Sequence, residues 1–166
     1  MVSSLYFMQT ITSTRLQRLR HSLEAHGVSA LLETHLPNVY YLSGFSGDSG
    51  ALLVDASSAT LFTDGRFTIQ AKEEAPGIRT RIHRGSLLEA IGEHLHKKGR
   101  ARVAVSPSRV TLAGWKTLKK AAGTNVKWVG VDGLVDQLRA VKDSFEVERL
   151  RDSARLGSEV MEEAIR

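Results

Sequence analysis

Cysteine is absent from all 166 residues, and disulfide bonds, thiolate nucleophiles and cysteine-bound zinc are excluded with it. Long apolar runs are missing too. No stretch approaches the eighteen or so residues needed to span a bilayer, and Met1 to Thr12 has neither the basic start nor the sustained apolar centre of a secretory signal. These absences lead us to expect no membrane partner and a cytoplasmic location. Aromatic residues make up only 6% of the chain, yet Tyr40, Tyr41 and Phe45 fall together in one short stretch. What remains, 42% hydrophobic and 25% charged residues, suits one globular domain with its own core.

The net charge of +5 raises nucleic acid as a partner. The basic residues are dispersed, however: Arg15, Arg18 and Arg20 on one expected helix, Arg79, Arg81 and Arg84 on another element, and Lys97, Lys98, Arg100 and Arg102 near a turn. No aromatic platform alternates with them, so solvated charge is the preferred reading and nucleic acid is not expected. The histidines do not cluster as metal ligands either. His94 and His96 stand two apart on an expected helix and point to different sides, which makes them surface residues rather than a metal pair.

The chain is organised around residues 38–55. Gly44, Gly47 and Gly50 follow the aromatic group and mark a turn, and Ala51-Leu52-Leu53-Val54 is an uninterrupted apolar run, the pattern of a strand covered on both faces. Before it, residues 1–11 read as a loose leader, Thr12-Ser13-Thr14 as a helix cap, and Leu16, Leu19 and Leu23 as the inner face of a helix that Gly27 ends. Val28 to Leu32 reads as a buried strand and residues 34–38 as a loop, with Pro37 preventing further strand. After it, Ala56-Ser57-Ser58 suits a hairpin between 52–55 and 60–63, Asp64-Gly65-Arg66 breaks the second strand, and Pro76-Gly77 ends a helix over 67–75.

Residues 78–82 alternate apolar with basic, as an edge strand does. Ser86 caps a helix with Leu87, Leu88, Ile91 and Leu95 inward; Val103 to Val105 is a buried strand; Leu112, Trp115, Leu118 and Ala122 line a second helix; and Val126 to Val131 forms the last strand. Asp132 is placed to cap a short helix. This order predicts an α/β fold with a mixed sheet, one antiparallel pair from the hairpin and helices on both faces. From Asp143, with Glu146 as its capping-box partner, Val147, Leu150, Ala154, Gly157, Met161 and Ala164 form a stripe along a helix to the chain end. We expect its packing partner to lie further on, the alternative being a terminal helix packed back on the sheet.

Gly47-Asp48-Ser49-Gly50 looks superficially like a serine-protease nucleophile turn, but no histidine base and orienting carboxylate accompany it in a suitable fold. The three glycines are not a dinucleotide fingerprint either, since they precede a strand. His35, in the expected loop, reads as an exposed histidine with interfacial potential, and Arg66 as a partner for Asp64 or Glu73. Tyr40, Tyr41 and Phe45 read as core or interface packing. No constellation here performs chemistry alone.

Three segments taken in order nevertheless resemble one family. Asn38-Val39-Tyr40-Tyr41-Leu42-Ser43-Gly44-Phe45 with Gly47 and Gly50, then Leu61 to Phe67 with Gln70-Ala71, then Arg139 to Lys142 with Glu146, Glu148, Leu150 and Arg151, resemble the amino-terminal domain of the creatinase, prolidase and aminopeptidase P enzymes. Ser43 and Phe67 stand where threonine and tyrosine are common. The resemblance implies a three-layer α/β/α, ribonuclease H-like domain with a mixed sheet over 12–138, a linker over 139–142, and over 143–166 the first helix of an absent catalytic domain. It implies that the catalytic domain binds two divalent metals, often manganese, to cleave the bond before proline, although creatinase uses the architecture without metal. It further implies a homodimer acting on proline-containing peptides, with no cofactor in this chain. His35, Asn38, Tyr41 and Arg66 are then candidates for substrate gating or contact with the partner subunit. A free-standing binding module of the same fold and a basic nucleic-acid-binding domain are the alternatives.

Overall fold

A computed structural model describes the backbone of residues 2–166 and the side chains of residues 9–166. The first helix, α1 (Val2–Ala25), begins well before the expected cap, so the leader over 1–11 is corrected to helix from residue 2. Neither glycine nor proline occurs in that span, and nothing in the backbone stops the helix from growing towards its start. Thr12-Ser13-Thr14 therefore lies inside the helix, where Thr14 Oγ1 donates to the Thr10 carbonyl (3.0 Å) instead of capping. Leu16, Leu19 and Leu23 are buried, as their spacing requires.

Strand β1 (Ala30–Glu33) is buried throughout. The next element differs from its sequence reading: residues expected as a loop and an aromatic turn form helix α2 (Leu36–Ser43). Pro37 sits in its first turn, where a missing N–H costs nothing, so the residue taken as a stop signal starts the helix. Gly44 closes it with φ +80° and donates its N–H to Tyr40. The glycine loop then folds over Phe45. A Cβ on Gly47 would lie 2.2 Å from the Phe45 ring, so that position has room for hydrogen alone.

Strand β2 (Ala51–Asp55) and strand β3 (Ala59–Asp64) form the expected hairpin. Helix α3 (Thr68–Glu74), edge strand β4 (Arg79–His83), helix α4 (Leu87–Lys98), strand β5 (Ala101–Val105), helix α5 (Leu112–Ala122), strand β6 (Val126–Gly130) and helix α6 (Leu134–Ala140) follow. The sheet order is β4-β3-β2-β1-β5-β6. β2 is antiparallel to both neighbours, and every other pairing is parallel. There are thus two antiparallel pairs where the hairpin alone predicts one, both made by a single reversed strand, and the other five strands point the same way.

Successive residues of the inner strands alternate between two cores. Leu31, Leu52 and Val54 join α1, α2, α3 and α6 on one face, while Leu32, Ala51 and Leu53 join α4 and α5 on the other. This is the three-layer α/β/α arrangement with a mixed sheet. Ser86 and Thr111 cap α4 and α5 as expected. Asp132 does not cap α6: Gly133 occupies that position, and the Asp132 carboxylate instead accepts from Ser106 and Ser108. Leu112, expected inward, is 71% exposed in the first turn of α5. Of the two histidines expected at the surface, His96 is exposed, its Nδ1 3.3 Å from the Ala122 carbonyl, while His94 is half-buried and packs edge-on against Phe62, with ring centres 5.4 Å apart.

The final helix, α7 (Ser144–Ile165), starts at a complete capping box formed by Asp143 and Glu146. None of its residues is buried. Of its expected stripe, Leu150 and Met161 are exposed and Val147 is half-buried.

The two helices of the second face approach closely at Gly92, where a Cβ would meet Ala121 Cβ at 2.5 Å and the Leu118 carbonyl oxygen at 2.9 Å. Gly92→Ala is therefore expected to destabilise the protein by about 1–3 kcal/mol through overpacking. An unchanged urea midpoint would refute that close packing.

Candidate functional site

Because β1, β3, β4, β5 and β6 run in one direction, their carboxyl ends gather at one end of the sheet, the end at which open α/β sheets bind ligands. Helix α2, the glycine loop and the turn after β3 lie at this end, with all four candidate residues. His35 is the half-buried residue preceding α2, and its own N–H donates to Glu33 Oε1 (2.8 Å). Asn38 is not in a loop and is only 1% exposed. It donates through Nδ2 to Glu33 Oε2 (3.0 Å) and Asp136 Oδ2 (3.4 Å) and accepts from Arg139 Nη1 (2.8 Å). Carboxylates at one end of the amide and a guanidinium at the other fix its orientation.

Glu33 ends a buried strand, and burial pushes its carboxyl above the ordinary value, partly opposed by the His35 N–H and Asn38. Asp136 continues the network to Arg109, 3.5 Å away. Sequence reasoning passed over Glu33 and Asp136 and noted Arg139 only as part of a motif, because each joins Asn38 only through folding. The buried acid at the end of an apolar strand was the available signal.

Tyr41 is buried and faces inward. The Arg15 guanidinium lies 4.1 Å over its ring, Arg15 Nη1 donates to the Tyr41 carbonyl (2.9 Å), and the Tyr41 hydroxyl reaches the Leu138 carbonyl at 3.4 Å. Arg15 also donates through Nε and Nη2 to Asp143 Oδ2, at 3.0 and 2.7 Å. One side chain of α1 thus holds α2 and the start of α7 together. Arg66 is exposed and grips Asp64 in a two-point contact (3.0 and 2.9 Å), the partner anticipated from sequence, with Asp48 at 3.6 Å. That guanidinium holds the Asp64 carboxyl well below the usual range.

The structure therefore brings His35, Asn38 and Tyr41 together on or beside α2 and leaves Arg66 on the neighbouring turn. Asn38 and Tyr41 act inside the domain, so the surface they help to present is that of His35, Pro37 and Tyr40 on the outer side of α2. These groups can position and contact a ligand; they form no nucleophile–base pair. Among the described residues, no three His, Cys, Asp or Glu side chains converge to hold a metal ion, so this site does not fit the two metals of the resembled enzymes.

Partial burial disfavours the Asp143 anion, but the Glu146 N–H and the Arg15 guanidinium outweigh it and hold the carboxyl below its ordinary value. Its contribution to stability is present above the unfolded aspartate value of about 3.9 and is lost as pH falls through the lower folded value. In a carboxyl-carbon NMR titration, Arg15→Ala should raise the Asp143 midpoint towards the ordinary value; an unmoved midpoint would exclude the Arg15 anchor.

A family model described as Creatinase/Prolidase N-terminal domain matches residues 15–141. The chain is 28% identical over 145 residues to the uncharacterized peptidase YqhT of Bacillus subtilis, covering 87% of this chain and 41% of that protein. Its fold is similar to the N-terminal domain of cytoplasmic peptidase PepQ from Mycobacterium tuberculosis H37Rv, with 36% identity and a TM-score of 0.70 over 75% of this chain and 98% of that one. It is also similar to the X-Pro aminopeptidase from Thermotoga maritima MSB8, with 27% identity and a TM-score of 0.74 over 82% of this chain and 40% of that one. The chain thus spans about two-fifths of the length of YqhT and of the Thermotoga enzyme.

Proposed function

The chain belongs to the Creatinase/Prolidase N-terminal domain family, and from that premise we propose that it is the non-catalytic amino-terminal domain of a metal-dependent Xaa-Pro peptidase of prolidase or aminopeptidase P type. In this reading it helps the enzyme to dimerise and limits the length of proline-containing peptides that enter. The observation that carries the proposal is α7, which is capped and anchored at Asp143 yet leaves Leu150, Met161 and Ile165 more than half exposed. A stripe of that kind gains stability by covering apolar surface on a partner, and the catalytic domain is the partner we assign, with 143–166 as its first helix. The two divalent metals, manganese among them, belong to that domain. A cytoplasmic location is the companion reading, supported by the likeness to PepQ; no described helix is long and apolar enough to cross a membrane.

Gating falls to the outer side of α2. The buried Glu33 and Asn38, with the half-buried Arg139, fix the helix from beneath, so His35 is held at a defined height at the carboxyl end of the sheet. In the peptidase containing this domain, His35→Ala should change KM or length preference on a series of Xaa-Pro substrates by about fivefold, the effect of a lost contact of ~1 kcal/mol, with kcat little altered. Equal kinetics across dipeptides and longer peptides would remove His35 from the gate. Met161→Asp should lower the melting temperature of the whole enzyme and leave that of the 166-residue chain unchanged. Equal effects on both would argue that α7 docks elsewhere.

A further inference from the structure

The far edge of the sheet carries a cavity that the peptidase reading does not use. β4 pairs with β3 alone, and its register sets Arg79, Arg81 and His83 beside Thr60, Phe62 and Asp64. Phe62 belongs to the core beneath α4 and α5, so these three basic side chains stand on the α4 face. There Arg81 and His83 meet Glu93, His94 and Lys97 of α4 around a cavity of about 160 Å³.

Its lining holds more basic groups than carboxylates. Arg79, Arg81 and Lys97 make no ion pair among the described residues, whereas the nearby Lys98 is paired with Asp55. Both ring nitrogens of His83 are shut off from solvent without a hydrogen-bond partner, an unfavourable state for an imidazole with one donor and one acceptor to satisfy. Its ring torsion is soft, so turning a nitrogen towards the cavity sacrifices no existing bond. On the opposite wall, burial and then the charges of Arg81, Lys98 and Arg79 hold His94 below its ordinary pKa, against a weaker opposing pull from Asp55. The local potential is positive.

We propose that this cavity binds one small oxyanion of the phosphate class, with Arg81 and Lys97 supplying charge and the rings of His83 and His94 donating hydrogen bonds. A volume of about 160 Å³ has room for one tetrahedral ion of phosphate size. The cavity opens to solvent, so a phosphomonoester seats its phosphate there with the remainder directed outward. Glu93, the single carboxylate of the lining, offsets part of the positive charge and disfavours polyphosphates.

The test is a histidine-ring NMR titration of the 166-residue protein with inorganic phosphate, at ionic strength held constant with sodium chloride. Saturable shifts of His83 and His94 are expected, with the His94 pKa rising when phosphate is bound. Arg81→Ala and Lys97→Ala, both at exposed positions, should each weaken binding about tenfold, while Arg100→Ala leaves it unchanged. A parallel titration with glycerol phosphate separates the sources: tighter binding of the ester identifies a phosphorylated larger ligand, and tighter binding of inorganic phosphate identifies the free ion. Shifts reproduced by chloride, or phosphate affinity unaffected by Arg81→Ala, overturn the site.

Discussion

Arg15 keeps a positive charge at a position where only 7% of the residue's surface remains exposed, and three elements meet on it. Its guanidinium lies over the Tyr41 ring, donates to the Tyr41 carbonyl and grips Asp143. A buried cation needs such partners, because the water it gives up must be replaced by fixed acceptors. Solvent reaches Asp143, so the pair contributes well below the ~3–5 kcal/mol at stake in a fully buried one. Its larger effect is geometric: α1, α2 and the start of α7 cannot shift independently.

Single-element patterns were the legible part of the chain. The hairpin, the caps at Ser86 and Thr111, the capping box at Asp143 and the edge position of β4 each depend on a few adjacent residues, and all are present. The misreadings share a different cause. Pro37 breaks a helix interior but begins one equally well, and only the surrounding fold decides which. Asp132 had a free choice between capping and the hydroxyls of Ser106 and Ser108, residues a strand away. The second antiparallel pair was invisible because strand neighbours are set by which apolar faces meet, not by loop composition.

The candidate site shows the same division. Arg66 and Asp64 are two residues apart, and their pairing could be anticipated. Asn38 could not be read correctly, since its partners come from the end of β1 and from α6, almost a hundred residues on. A side chain that looks available in the sequence is a strut beneath α2. The residues singled out by the family resemblance gather at the carboxyl end of the sheet, and the folded contacts separate its internal supports from the groups that face outward.

The Asp143 carboxylate both caps α7 and receives Arg15, so the direction of the helix is inherited from the sheet domain at a single pivot. At 1.5 Å per residue, its 22 residues reach about 33 Å from that pivot. A tilt of roughly 10° at the base swings the tip by about 6 Å at that length, so the arm magnifies small adjustments beside Tyr41 into displacements of several residues' rise at its tip.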